Sequence, residues 1–135
     1  MILLIVISVL LTIISSFSKA ICDLSEEGNL FRNKSINQLF WYKDLSWKNK
    51  WKDGLRTKGE KFWGSSRWFV MFTDAWHLFG FIFRLSFLGA FFCVGVLTKF
   101  SNYFYFGMLV NYVLFASVFH LFYNSKILRY GNVKK

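Results

Sequence analysis

From residue 2 to residue 17 no side chain carries a charge, and Lys19 is the first that does. With Met1 and the aliphatic stem of Lys19, that run reaches the roughly 17 residues a helix needs to cross a hydrocarbon core about 30 Å thick. A second apolar stretch covers about residues 68–98 and is cleanest over 85–97, where only Ser86, Gly89 and Gly95 interrupt it. A third covers about residues 103–123, with Asn111, Ser117 and His120 as its markedly polar members. Tyr103, Tyr105 and Tyr123 fringe it in the manner of an interfacial aromatic belt. The expected fold class is therefore an all-α membrane protein with three transmembrane helices. Residues 99–102 join the last two so tightly that these should form an antiparallel hairpin.

Composition points the same way. The 135 residues are 55% hydrophobic and 22% aromatic, above the roughly 45–50% apolar share of soluble domains. A chain of this length buries only about two-thirds of its unfolded surface, so water would meet much of the excess and lipid resolves the conflict. The first segment reads as a retained anchor in preference to a cleaved signal, because no basic flank precedes it and no small-x-small site closes it. Four parts follow: an anchor at 1–22, a basic aromatic-rich segment at 23–67, the hairpin at 68–124 and a basic tail at 125–135.

Basic residues set the expected direction. Lys19, Arg32, Lys34, Lys43, Lys48, Lys50, Lys52, Arg56, Lys58, Lys61 and Arg67 separate the first two stretches, and Lys126, Arg129, Lys134 and Lys135 follow the third. The hairpin turn has only Lys99. This pattern predicts a multi-pass protein of the cytoplasmic (inner) membrane, with the N-terminus outside and the C-terminus cytoplasmic.

Within the basic segment, residues 40–52 read as a short interfacial amphipathic helix, with Phe40, Trp47 and Trp51 on one side. Trp41, Trp47, Lys48, Lys50, Trp51 and Lys52 are its expected membrane-interface residues, and anionic lipids its expected partners. Basic residues interleaved with aromatics also suit nucleic acid. No nucleic-acid fold signature accompanies them, so that partner is disfavoured. The glycines of residues 54–61 lack the spacing of a phosphate-cradling loop.

Chemistry, if any, is expected at the start of the second span. Continued as one helix, Ser66, Thr73, His77 and Arg84 fall within about 40° of one another, with Asp74 about 60° from His77. Asp74 can hydrogen-bond His77 and fix its tautomer. Asp74, His77 and His120 are the catalytic candidates, with His120 at similar depth across the hairpin. Arg84, Ser66 and Thr73 are the ligand-binding candidates, Arg84 toward an anionic headgroup. The plainer alternative is that Asp74, Thr73 and His77 merely mark where the span begins. Cys22 and Cys93 form no disulfide or metal pattern, and Lys19-Ala20-Ile21 before Cys22 is a poor lipoprotein box. No metal or cofactor is expected.

The strings Trp47-Lys48-Asn49-Lys50-Trp51-Lys52, Gly59-Glu60-Lys61-Phe62-Trp63-Gly64 and Thr73-Asp74-Ala75-Trp76-His77 resemble a pattern in small membrane proteins of Bacteroidota and their phages. The resemblance covers about residues 40–80 and implies a bacterial cytoplasmic membrane but no activity. The expected function is an accessory or scaffold subunit that packs with other membrane subunits or itself and docks on the inner leaflet. The alternative is a membrane-embedded enzyme acting on a lipid phosphate, or a homo-oligomeric channel, using the Asp74, His77 and Arg84 stripe.

Overall fold

The computed structural model of the protein describes residues 1–27, 30, 37–125 and 128. A long helix α1 (Ile2–Glu26) is followed by two single-turn helices, α2 (Gln38–Trp41) and α3 (Lys43–Ser46), and then by two long helices, α4 (Ala75–Thr98) and α5 (Tyr103–Tyr123). α1, α4 and α5 are each long and apolar enough to cross a membrane, the architecture of a multi-pass membrane protein. Among the described residues there is no β-sheet; Trp51 and Glu60 form an isolated antiparallel bridge. The expected tail residues Lys126, Arg129, Lys134 and Lys135, and Arg32 and Lys34, lie outside the described residues.

The direction of each helix follows from its contacts. Ser15 Oγ donates to the Phe83 carbonyl at 3.3 Å and Cys22 Sγ to the Trp76 carbonyl at 3.4 Å, so α1 and α4 are antiparallel. Ser16 Oγ lies 3.1 Å from the Phe115 carbonyl and Phe17 packs on Phe122 at 5.0 Å, so α1 and α5 are parallel. α4 and α5 run antiparallel from their turn, with Phe91 against Phe104 at 5.0 Å. Yet they touch each other far less than each touches α1. The first span occupies the groove between the other two, so the bundle is organised around α1.

The reason lies in side-chain size. Ser8, Thr12, Ser15, Ser16, Ala20 and Cys22 are buried, whereas Ile2, Leu3, Ile5, Val6, Leu10 and Ile14 are exposed. This inverts a water-soluble helix, because lipid is as apolar as leucine and association depends instead on close packing of small residues. Two of the hydroxyls are satisfied at home: Thr12 Oγ1 lies 2.8 Å from the Ser8 carbonyl and Ser16 Oγ 2.7 Å from the Thr12 carbonyl. Thr12 Oγ1 can instead donate to Asn111 Oδ1 of α5, at 2.7 Å. Asn111 and Thr12 also line an apolar cleft of about 360 Å³ between α4 and α5.

α4 ends in a Schellman motif. The Phe100 N–H donates to the Gly95 carbonyl at 2.9 Å and the Lys99 N–H to Val96 at 3.3 Å, with Lys99 left-handed at φ 50°. Beyond the turn the helices meet at Gly107, where an added Cβ would lie 2.8 Å from Val94 Cγ1. Gly107→Val is expected to force α4 and α5 apart at a cost of about 1–3 kcal/mol. Reversible unfolding in mixed detergent micelles, with Gly107→Ala falling between the two, is the check; an unchanged free energy would refute the close approach.

Two boundaries differ from the sequence reading. α1 continues past residue 22 to Glu26 because nothing breaks it and Lys19 pairs with Asp23 one turn on. α4 starts at Ala75, not near Trp68, because the Asp74 side chain caps it there.

The single interfacial helix over residues 40–52 is also replaced, by α2, α3 and a 3₁₀ turn at Trp47–Lys50. The break falls at Tyr42, which is extended at φ −100° and ψ 116°. It lets Trp41 turn inward onto Phe79, stacked at 6.1 Å, and join a cluster built on Ile21, Leu24, Leu30 and Leu128. Ser25 Oγ fixes the Trp41 carbonyl at 2.9 Å. Tertiary anchoring outweighs the small gain of extending a four-residue helix.

Candidate functional site

The start of α4 is built from the backbone outward. Asp74 is extended, at φ −157° and ψ 157°, and its Oδ1 accepts the His77 N–H at 2.9 Å, which is N-cap geometry. The carboxylate also takes the Thr73 hydroxyl at 3.1 Å and faces His77 Nδ1 at 2.7 and 2.8 Å. Thr73 is held in turn by the Asn49 amide, which donates to its carbonyl. Asp74 is only 1% exposed. Burial pushes its carboxyl pKa up, but the His77 ring and backbone N–H and the Thr73 hydroxyl outweigh that and hold it below its ordinary value.

Asp74 therefore orients His77 as the sequence suggested. With Nδ1 toward the carboxylate, Nε2 is left for another partner. The His77 side chain is 35% exposed and lines a cavity of about 220 Å³ between α1 and α4. Arg84 lines the same cavity, about 13 Å along the axis from Ala75 at about 1.5 Å per residue. A Cβ on Gly80 would sit 4.0 Å from Arg84 Nη1 and 3.8 Å from Cys22 Sγ. The guanidinium thus folds back one turn, toward the end of the bundle that carries the charges. An arginine at mid-depth costs roughly 2.5–3.5 kcal/mol on insertion scales, and this turn shortens its path to polar surroundings.

The stripe is only partly assembled as expected. Ser66 is not on α4: its backbone and hydroxyl both donate to Glu60, which also accepts the Gly64 N–H at 2.9 Å. Those donors, the Ser66 hydroxyl foremost, lower the Glu60 pKa. Ser66 left the stripe because residues 64–69 form turns before the Asp74 cap. His120 is exposed on α5, with its ring 5.9 Å from Phe119, and does not line the cavity.

What the sequence reading missed is the opposite wall. Lys19, Cys22, Asp23 and Glu26 of α1 complete the cavity. Lys19 pairs with Asp23, and Glu26 with Lys43, whose Nζ also sits 4.8 Å over the Trp76 ring. The i, i+4 spacing of Lys19 and Asp23 and the Ser8, Thr12, Ser16, Ala20 series were the available signals. Among the described residues no three His, Cys, Asp or Glu side chains converge as a metal site would require.

A second feature lies in the central segment. Lys52 N–H donates to the Gly59 carbonyl at 3.1 Å and Lys61 N–H to Lys50 at 3.0 Å, closing a loop around the Trp51–Glu60 bridge. Buried Ser65 ties that pairing to the next turn through the Lys50 carbonyl, at 2.7 Å. Trp63 and Trp68, which flank Arg67 in sequence, are 78% and 75% exposed. Trp47, Lys48 and Lys52 are exposed too, while Trp51 is half-buried beneath Arg56 at 5.6 Å.

Comparison with protein-family models, with characterised proteins and with solved structures finds no match to this chain.

Proposed function

We propose that the protein is an accessory or scaffold subunit of a bacterial cytoplasmic membrane complex that docks on the anionic inner leaflet through its Trp-rich basic segment. In this reading the N-terminus is outside, and the central segment and C-terminal tail are cytoplasmic. The observation that carries it is the pair of outward tryptophans, Trp63 and Trp68, presented on a turn fastened by Glu60 and Ser65. Tryptophan prefers the headgroup zone, and a lysine or arginine near an anionic leaflet contributes on the order of 1 kcal/mol. Outside the three spans, every basic residue except Lys99 belongs to the segments on this side, which supports the direction.

The test is fluorescence of the full chain in phosphatidylglycerol-containing vesicles whose lipids are brominated near the headgroup. Trp63 and Trp68 should carry most of the quenching, so Trp63→Phe with Trp68→Phe should remove most of it. Equal quenching before and after the change counts against leaflet docking. Cross-linking in native membranes tests the accessory role: a stoichiometric partner of different mass supports it, and the chain alone or a homo-oligomer overturns it. The second reading, an enzyme acting on a lipid phosphate, is favoured by one observation, the opening of the Asp74–His77 pair into the Arg84 cavity. Its signature would be loss of turnover in Asp74→Asn with His77→Gln while assembly persists.

A further inference from the structure

Three of the charged contacts around the α1–α4 cavity are internally balanced: Lys19 with Asp23, Lys43 with Glu26, and His77 with Asp74. Arg84 is different. Among the described residues no carboxylate lies within ion-pair distance of it, although it sits well inside a transmembrane helix and its side chain is exposed. An unpaired guanidinium at that depth calls for an anion that arrives with the bilayer.

We propose that the α1–α4 cavity binds the phosphodiester headgroup of an anionic membrane lipid, with Arg84 as its principal contact. The planar fork of arginine matches two phosphate oxygens at once, a geometry lysine does not provide. His77 supplies a further ring nitrogen on the same wall, since Asp74 engages Nδ1 and leaves Nε2. The cavity's size, about 220 Å³, suits a headgroup and not a whole lipid. The acyl chains then run along the exposed apolar surface of α4, where Leu85 and Leu88 face outward. The acids Asp23 and Glu26 on the lining disfavour a doubly charged ion, so a singly charged phosphodiester fits better than free phosphate. The inference goes beyond the docking platform and involves neither Trp63 nor Trp68.

The experiment uses the full chain reconstituted with equal phosphatidylglycerol and phosphatidylcholine, released in mild detergent and weighed by native mass spectrometry. One phosphatidylglycerol should be retained per chain with a preference of about tenfold, the size of one charge-assisted contact. Arg84→Gln should abolish that preference and Arg84→Lys should keep part of it, while Trp63→Phe with Trp68→Phe should leave it unchanged. Excess inorganic phosphate should not displace the lipid. No preference in the wild type, full preference in Arg84→Gln, or displacement by phosphate would each overturn the assignment. A measurement on the wild type alone guards against a misfolded variant. An anionic lipid photoreactive beside its phosphate should label residues 19–26 and 76–84, and labelling confined to other regions overturns it too.

Discussion

Leucine at both Thr12 and Ser16 is expected to unseat α1 and destabilise the bundle by about 2–6 kcal/mol, taking roughly 1–3 kcal/mol for each overpacked site. Both side chains are buried, Thr12 within 2.7 Å of Asn111 Oδ1 and Ser16 within 3.1 Å of the Phe115 carbonyl. The larger residues would fill space that two neighbouring helices already occupy. On hydrophobicity alone the change should favour the membrane, so the sign of the result separates packing from partitioning. The check is reversible unfolding in mixed micelles, with Ile14→Leu on the lipid-facing side as the neutral comparison. A double variant as stable as the wild type would mean that α1 is an independent anchor and not the centre of the bundle.

The second large effect is expected at Asp74. Alanine there removes the helix cap and strips a partner from the His77 ring, the His77 N–H and the Thr73 hydroxyl together. A lost cap costs about 0.5–2 kcal/mol and a buried donor left without a partner about 1–3 kcal/mol, so a loss of about 1.5–5 kcal/mol is expected. The pH dependence has a definite sign. Because the folded carboxyl pKa lies below its ordinary value, its contribution is complete above the unfolded value near 4 and disappears as pH falls through the folded one. The gap between wild type and Asp74→Ala should therefore hold from pH 7 to about 5 and narrow below about 4. A gap that widens in acid would reverse the assignment of a lowered pKa.

The three spans were legible because absence of charge over a helix length is a strong, one-dimensional signal. Most of the Asp74 constellation was legible too, since a cap and its i+3 histidine are local. Three things were not. The order of packing was hidden because apolar length does not say which span takes the centre; the four-residue spacing of Ser8, Thr12 and Ser16 marked the face of α1 that points inward while Ile5 and Leu10 face out, but not the helices it meets. The Ser66 assignment failed because a helical projection assumes a continuous helix, and Asp74 interrupts it. The opposite wall of the Arg84 and His77 cavity comes from α1, far away in the sequence, and only the tertiary fold brings Lys19, Asp23 and Glu26 there. Trp41 was misplaced for the same reason: its composition suits a membrane surface, but Phe79 and Ser25 hold it inward.

The hydroxyls of α1 have a consequence for how the protein is made. Thr12 and Ser16 can each donate to a carbonyl one turn back in their own helix, so the segment carries these two hydroxyls into the hydrocarbon already paired. It can leave the ribosome, enter the bilayer alone and persist there before the other two spans have been synthesised. When they arrive, Asn111 and the Phe115 carbonyl offer those hydroxyls a second set of partners. Of these three spans, α1 is thus the surface on which the other two are sorted, its hydroxyls changing partners as they pack.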